Sequence, residues 1–359
     1  MASWSALESS SGSTGEGVRI AVDAMGGDHG PAEVVPGAID YAIAHPRDVI
    51  LLVGQEDRIR AVAPTLPANV SISPASEVIE MDEHPALALR EKKDASILVA
   101  CDLVKHGEAD AVVTAGHTGA GMAAAVLRIG RLPRVDRPAL AVQMVRRGTP
   151  FVLLDIGANP DSSAENLAQY ARMGTIFAEH VLGIRQPRIA LLSIGEEKGK
   201  GDLRIQQATE LLDHSGLRFV GNVEGKDLTA DLADVIVTDA VTGNVVIKFF
   251  EGLSTFIFDL WRAELSSGIR GRLAYLLLRP GIARIRDVFD YERAGGSPLL
   301  GVKGVVIITH GRARRRMIGF ALDVAARAAR ERVPQRIAEA LRTADEAADA
   351  TPDLLEAAP

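Results

Sequence analysis

The sequence contains six loops in which glycine stands beside side chains able to bind an anion or stabilise negative charge. Loop 23–31 (DAMGGDHGP) has paired glycines that permit a tight turn, and loop 114–122 (TAGHTGAGM) has small residues and hydroxyls suited to a phosphate cradle. Each precedes a predicted helix, whose first N–H groups attract anions. The alternatives are a helix capped by Asp28 and another capped by His117. The predicted phosphate- or substrate-binding residues of these two loops are Asp23, Gly26, Gly27, Asp28, His29, Gly116, His117, Thr118 and Gly119.

Two further loops supply candidate catalytic groups. In 155–161 (DIGANPD), Asn159 offers a neutral donor for a carbonyl oxygen that is gaining charge, although an Asx turn before the following proline would also explain it. In 193–201 (SIGEEKGKG), glycines flank Lys198 and Lys200 and cost chain entropy without adding to a core. This setting favours a mobile anion clamp over the alternative, a solvated surface turn.

The last two loops are 221–227 (GNVEGKD) and 239–248 (DAVTGNVVIK). We predict that Asn222 contacts substrate. In the second loop, Gly243 and Asn244 are expected to open a helix, with Lys248 one turn further on. An anion at that helix terminus would meet the dipole, an amide and an ammonium group together, whereas the alternative for the lysine is a plain surface position.

The elements that must position these loops are short aliphatic strands alternating with alanine-rich segments of helical period, a pattern typical of a mostly parallel α/β sheet. Because ligands bind at the carboxyl ends of such strands, the loops are expected to converge on one crevice. The predicted strands are 18–23, 49–53, 111–114, 139–145, 151–156, 188–194, 219–223, 235–238 and 305–309. The predicted helices lie near 31–45, 94–106, 119–130, 163–182, 202–215, 243–266 and 312–332.

Composition limits the function classes. The 359 residues carry 40 Lys plus Arg against 47 Asp plus Glu, a net charge of −7, so no general attraction to nucleic acid is expected. Cys101, the one cysteine, lies in an apolar run and excludes an intrachain disulfide. We interpret it as an inert core thiol rather than a nucleophile, in a cytoplasmic protein.

Three parts of the chain are expected. Residues 1–17 are rich in Ser and Gly and are predicted to be a flexible extension, 18–333 form the α/β domain, and 334–359 form a short, exposed, fraying helical tail. No uncharged apolar stretch approaches the roughly 20 residues of a membrane-spanning helix. The motifs hold no spaced set of His, Cys and carboxylate, so neither a metal nor another cofactor is expected.

One basic segment needs a separate explanation. Residues 270–286 (RGRLAYLLLRPGIARIR) contain five arginines and no acid, with aliphatic residues on both sides of Pro280 and Gly281. We predict a helical hairpin over about 262–292 that contacts an anionic membrane surface or an acidic carrier protein; the alternative is dimer packing. The predicted contact residues are Arg270, Arg272, Leu273, Leu276, Leu277, Arg279, Ile282, Arg284, Ile285 and Arg286.

Over about 18–311 the chain resembles the PlsX-type phosphate acyltransferases of bacterial glycerolipid synthesis. The resemblance depends on the joint order of DAMGGDHGP, TAGHTGAGM with GRLPRVDRPA, LDIGANPD, IGEEKGKGD, GNVEGKD, VTGNVVIK and GGSPLLGVKG. Two departures concern anion contacts: His117 stands where the family usually has Asn, and Arg312-Ala313-Arg314 replace the usual serines after a late His-Gly.

The resemblance implies a three-layer α/β/α fold similar to phosphotransacetylases and isocitrate/isopropylmalate dehydrogenases, and a homodimer. It also implies transfer of a fatty acyl group from acyl-[acyl-carrier-protein] to inorganic phosphate, in phospholipid synthesis. Lys200, helped by Lys198, would hold phosphate or screen charge, while Asn159 and Asn244 would donate to oxygen.

The basic segment 270–286 predicts peripheral association with the inner face of the cell membrane, where a membrane glycerol-phosphate acyltransferase is the expected downstream partner. The alternatives are a phosphotransacetylase-like enzyme that uses acyl-coenzyme A, and a membrane-associated scaffold for lipid synthesis. A scaffold would need the hairpin but not Lys200.

Overall fold

One sheet of eleven strands runs through the part of the chain that the computed structural model describes, residues 16–146, 148–266, 268–288 and 290–349. The strands are β1 (Arg19–Asp23), β2 (Val49–Gly54), β3 (Val70–Pro74), β4 (Ala111–Thr114), β5 (Ala139–Arg146), β6 (Thr149–Leu154), β7 (Ile189–Leu192), β8 (Phe219–Val223), β9 (Val235–Val237), β10 (Ser297–Leu300) and β11 (Val305–Ile308). Their order across the sheet is β3-β2-β1-β4-β11-β10-β5-β6-β9-β7-β8. The nine predicted strands are all present, and β3 and β10 are additional.

The two halves of this sheet run in opposite directions. Strands β3, β2, β1, β4 and β11 are mutually parallel, as are β6, β9, β7 and β8. Between the halves, β11, β10, β5 and β6 pair through three successive antiparallel ladders. Three reversals leave the halves opposed, so their carboxyl ends emerge at opposite edges of the sheet. The six predicted loops therefore do not all lie at one edge.

Strand β4 shows why these segments form a buried sheet. All four of its residues are buried, and successive side chains enter two separate cores, Val113 on one side and Val112 on the other. A strand covered on both faces is expected to be a continuous apolar run. The sheet is therefore the middle of three layers, which confirms the predicted α/β/α architecture.

Eleven α-helices lie in the described ranges, and all but the ninth contribute to the cores on the two faces of this sheet. They are α1 (Gly30–Ala44), α2 (Glu56–Val62), α3 (Pro85–Glu91), α4 (Ser96–Lys105), α5 (Thr118–Arg128), α6 (Ala164–His180), α7 (Leu203–Asp213), α8 (Ala240–Ser266), α9 (Gly268–Val288), α10 (Arg315–Arg330) and α11 (Val333–Asp349). Helices α1, α2, α6, α7, α10 and α11 contribute to the core on one face, and α3, α4, α5 and the start of α8 to the other.

The turn of the predicted hairpin does not lie at Pro280 and Gly281, because α9 runs continuously through both residues. Pro280 lies inside α9, and the chain turns between Ser266 and Gly268, where the glycine has a φ of +63° that favours a residue without a Cβ. By length and composition alone, α8 is long and apolar enough to cross a membrane. Its first turns, however, belong to the site described below.

The C-terminal helix departs from the expected exposed tail. Val333, Ile337 and Leu341 are buried at four-residue spacing on one face of α11 and join the same core as α6. This helix therefore packs onto the folded domain as far as Leu341. Residues 1–15 of the predicted extension, and 350–359 of the predicted tail, lie outside the described residues.

Candidate active site

A cavity of about 450 Å³ lies where the central strands reverse direction. Its walls come from the start of α5, from β5, β10 and the end of β11, and from the first three turns of α8. A volume of this size is within the usual range for small-molecule sites. The apolar side chains that line it are Met122, Leu140, Val142, Met144, Val145, Ile156, Ile247, Phe250, Ile308 and Met317.

The N-terminus of α5 forms one polar part of the wall. Thr118 and Gly119 line the cavity. Beside them, His117 Nδ1 accepts a hydrogen bond of 3.1 Å from the Gly119 N–H, so this histidine caps the helix. Thr114 Oγ1 accepts from the Gly116 N–H at 2.9 Å and fixes the turn that leads into the helix.

The start of α8 forms the facing part of the wall, and it differs from the prediction. The helix begins at Ala240 because Asp239 caps it, its Oδ1 accepting from the Val241 and Thr242 N–H groups at 3.0 Å each. A carboxylate of the protein thus already occupies the terminus proposed for a bound anion. Gly243 lies within the first full turn, and Asn244 one residue later lines the cavity while its Nδ2 donates to Ile156 O at 3.2 Å.

Lys248 and His310 place a cation and a neutral donor at this site. Lys248 Nζ lies 3.0 Å from Glu251 Oε2. Both of these residues and His310 line the cavity. Burial, followed by the charges of Lys248 and Arg312, lowers the pKa of His310 below its ordinary value. Its Nδ1 accepts the Arg312 N–H at 3.2 Å, so the proton of the neutral ring is on Nε2, which is left to donate.

His310 was not among the predicted site residues. The signal for it was present, because His310-Gly311 follows a predicted strand and precedes a predicted helix, as five of the other six loops do. Its partner Arg312 stands at one of the two departures from the family pattern.

Loop 23–31 packs against its neighbours and does not line the cavity. Asp23 is buried and accepts hydrogen bonds from Ser96 Oγ at 2.6 Å and Thr114 Oγ1 at 2.8 Å, which join the ends of β1 and β4. A Cβ at Gly26 or Gly27 would come within 3 Å of the backbone of loop 114–122. These glycines therefore permit two loops to touch.

Asp28 and His29 complete that loop. Asp28 is exposed, and His29 rather than Asp28 is the N-cap residue of α1, without a side-chain capping bond. Neither residue lines the cavity. The assignment of this loop to phosphate binding stays a prediction.

Asn159 is held inside its own loop. Its Nδ2 donates to Pro138 O, to Asp155 Oδ2 at 3.1 Å and to Tyr170 Oη at 2.9 Å. Asp155 also accepts the N–H groups of residues 157–159, which shapes the turn. The amide that was predicted to stabilise an oxyanion is therefore already occupied, and Asn159 is not part of the cavity wall.

Lys198, Lys200 and Asn222 lie together in a third group, at the outer edge that β7 and β8 form. Both lysines are exposed, and Lys198 Nζ is 2.7 Å from Asp213 Oδ2. Asn222 Nδ2 donates to Glu197 O at 3.5 Å, so the two loops touch. None of these residues lines the cavity. The catalytic role predicted for the two lysines stays a prediction.

The predicted contact residues of the hairpin are largely exposed. Leu277 and Leu276 are 83% and 67% accessible, and Leu273 and Ile285 are exposed as well. Arg270, Arg279 and Arg284 are exposed, and Ile282 is half-buried. The side chains of Arg272 and Arg286 lie outside the described part of the chain.

Comparisons with known proteins identify the family of this chain. Residues 18–336 match the family model described as "Fatty acid synthesis protein". A phosphate acyltransferase of Desulfitobacterium hafniense is 48% identical over 311 residues, which cover 86% of this chain and 93% of that protein. A phosphate acyltransferase of Dictyoglomus turgidum is 44% identical over 329 residues, 90% of this chain and 98% of that protein. The chain belongs to the phosphate acyltransferase family.

Membership of this family makes the protein an acyltransferase. Solved structures support its fold. The EutD phosphotransacetylase from Staphylococcus aureus superposes with a TM-score of 0.57 at 16% identity, covering 90% of this chain and 97% of that one. The 4-hydroxythreonine-4-phosphate dehydrogenase of Klebsiella pneumoniae gives 0.52 at 12% identity, covering 89% and 100%. The predicted similarity to the folds of phosphotransacetylases and dehydrogenases is thereby confirmed.

Proposed function

We propose that this protein transfers a fatty acyl group from the thioester of acyl-[acyl-carrier-protein] to inorganic phosphate, giving acyl phosphate and the free carrier thiol. The observation that carries the proposal is a cavity with mostly apolar walls that also holds the α5 terminus, Asn244, Lys248 and His310. An acyl thioester and a phosphate together need this combination of surfaces. The family's relatives, which are named phosphate acyltransferases, support the same reaction.

The groups present suit a direct attack by phosphate. A phosphate oxygen forms a bond to the thioester carbonyl carbon, and the carbon–sulfur bond then breaks with the electron pair leaving on sulfur. We assign phosphate to the α5 terminus and Lys248, where N–H dipoles and a cation meet, and the carbonyl oxygen to the Nε2–H of His310. A thiolate with a pKa of about 8.5 is a tolerable leaving group, so positioning and charge stabilisation suffice.

A protein nucleophile is not required by this scheme. Cys101 is fully buried in α4 and does not line the cavity, and burial raises the pKa of its thiol. The proposed chemistry uses hydrogen bonds and the charge of Lys248.

The test is a phosphate-dependence assay with a long-chain acyl carrier, in which acyl phosphate is trapped with hydroxylamine and counted directly. We expect thiol release to require phosphate and to match the hydroxamate formed. Release of thiol without phosphate would contradict the proposal. Faster turnover of acyl-coenzyme A than of acyl carrier would favour the phosphotransacetylase-like alternative.

We also propose that the protein binds the inner face of the membrane peripherally through α9. Its exposed leucines can enter the interface while the arginines meet anionic headgroups, each contributing about 1 kcal/mol at best. Peripheral binding would bring the acyl phosphate close to a membrane glycerol-phosphate acyltransferase. The alternative use of the same apolar surface is a homodimer contact.

Vesicle co-sedimentation of the double variant Leu276→Glu, Leu277→Glu tests this second proposal. We expect salt-sensitive binding of the wild type to anionic vesicles, loss of binding in the variant, and unchanged turnover of soluble substrate. Sedimentation of the variant with vesicles like the wild type would refute the membrane role. A shift from dimer to monomer in light scattering would show that these leucines serve the dimer instead.

A further inference from the structure

Two buried polar side chains in the wall of the cavity have no hydrogen-bond partner among the described residues. Gln143 is 1% exposed and Thr309 is 3% exposed, yet both side-chain amide atoms of the glutamine and the hydroxyl of the threonine are unpaired. A buried polar group without a hydrogen-bond partner destabilises a fold, and such groups are rare in native proteins unless they serve a function. A bound molecule that pairs with them would supply that reason.

The two side chains lie on the same face of the sheet with a glycine between them. Continuing the pairings Ser297–Ile308 and Leu299–Leu140 along the strands puts Gly296 beside Thr309 on one side and beside Gln143 on the other. Neighbouring strands are about 4.8 Å apart, so the backbones of the two polar residues are about 10 Å apart.

The glycine keeps the space between them open. A Cβ at position 296 would lie 3.1 Å from Thr309 Cβ and 3.0 Å from Ile307 Cγ2, which is tighter than ordinary contact. Gly296 also has a φ of +109°, a conformation that disfavours other residues. Its backbone lines the cavity together with Gln143 and Thr309.

The space between Gln143, Gly296 and Thr309, called the slot below, has hydrogen-bonding groups that identify its occupant. A glutamine amide offers one acceptor and two donors side by side, and a secondary amide, with its N–H and C=O, is their complement. An acyl chain could pair with neither the donors nor the acceptor of Gln143. The pantetheine arm that carries the thioester in both acyl-carrier protein and coenzyme A has two secondary amides joined by short methylene chains, which suits the apolar walls.

We propose that Gln143, with Thr309, binds an amide of the pantetheine arm and so positions the thioester next to His310. This inference rests on the proposed function, since it takes the acyl donor to be a pantetheine thioester. It assigns to Gln143 a role in substrate selection, and not in the chemical step.

A pair of small thioesters tests the proposal on the intact protein. Octanoyl-N-acetylcysteamine keeps one pantetheine amide, and the octanoyl thioester of 2-mercaptoethyl acetate replaces its N–H with oxygen. We expect wild-type kcat/KM to be at least about tenfold higher for the amide, the effect of about one buried hydrogen bond. In Gln143→Met we expect the two values to agree within about twofold, and in Thr309→Val a smaller loss of preference.

A matched control and a stability measurement separate substrate binding from folding. Gln207→Met makes the same substitution on an exposed position of α7 and should keep the wild-type preference. Because the Gln143 amide is unpaired in the free protein, Gln143→Met should melt at the wild-type temperature or above it. A wild type that turns over both thioesters equally, or a Gln143→Met variant that unfolds several degrees earlier, would overturn the proposal.

Two outcomes are kept distinct by the design. If no thioester gives phosphate-dependent product, the proposed function fails. If product forms but the amide preference is absent, only this inference fails. Comparing wild-type kcat/KM for octanoyl-carrier protein and octanoyl-coenzyme A identifies the natural source of the arm, because both donors present the same amides to Gln143 and differ only beyond the arm.

Discussion

Substituting Gly243 by alanine should disconnect the two walls of the cavity. The Cβ that alanine adds would lie 2.0 Å from the carbonyl oxygen of Asp155 and 3.0 Å from the Cα of Ile156. Both are backbone atoms at the end of β6, so no side-chain rotation can relieve the contact. Since such contacts are not found below 3.0 Å, α8 would have to withdraw from β6 by at least about 1 Å.

The size of the effect follows from what α8 carries. Asn244, Ile247 and Lys248 all lie within five residues of the substituted position and line the cavity. A misplacement of about 1 Å costs roughly a hundredfold in rate where geometry supplies the catalysis. We therefore expect Gly243→Ala to lower kcat/KM for acyl phosphate formation by about a hundredfold, and stability by about 1–3 kcal/mol.

Gly252→Ala is the matched control, because it lies in the same helix with nothing within 4 Å of the added Cβ. An exposed helical glycine replaced by alanine should gain about 0.5–1 kcal/mol and leave turnover unchanged. The assay is hydroxamate trapping at saturating phosphate, beside thermal unfolding of both variants. A folded Gly243→Ala protein with turnover near that of the wild type would refute the role given to the α8–β6 contact.

Three further outcomes are expected. His310→Gln should lower turnover roughly a hundredfold. Because the pKa of His310 is lowered, wild-type activity that needs the neutral ring should fall only below the ordinary histidine pKa of about 6.5. An acidic limb above pH 7 in the kcat/KM profile would contradict this. Lys248→Ala should raise the KM for phosphate at least about tenfold, whereas Lys200→Ala should change this KM less than about twofold. A larger increase in Lys200→Ala than in Lys248→Ala would support the phosphate site predicted from the sequence. Iodoacetamide should leave the native enzyme active, because Cys101 is buried and the pKa of its thiol is raised.

The elements could be predicted from the sequence, but their directions could not. Apolar runs such as 111–114 identify buried strands, and the glycine-rich turns after them identify the loops. Strand β10 was missed because SPLL is short and follows paired glycines, so it resembles a loop. Yet β10 and β5 are where the sheet reverses, and that reversal separates the loops.

One signal of the reversal was available. Only residues 147–148 separate β5 from β6, and parallel neighbours need a crossover of a dozen or more residues, so these strands had to be antiparallel. Taking that into account would have placed loop 155–161 at the other edge from loop 114–122. It would not have shown which loops α8 brings back together.

Glycine was the least reliable guide to the site. The sequence predicts that Gly243 opens a helix whose terminus binds an anion, whereas in the structure it lets a helix approach a strand. A glycine indicates that another group approaches the backbone closely, but only the structure shows which group it is. Gln143 gave a clearer signal, since it is a single amide inside the apolar run ALAVQMVR.

The opposed halves of the sheet explain how the two substrates of the proposed reaction can meet in one cavity. In a fully parallel sheet, all strand-to-helix loops lie at one edge. Here the α5 terminus comes from one half, α8 comes from the other, and the antiparallel strands β5 and β10 form the wall between them. Lys248 and Thr118 line the same cavity only because α8 extends across the strands at which the sheet changes direction. The contact of Gly243 with Asp155 fixes that span, so a change at a residue that touches no substrate should cost as much as removing one that does.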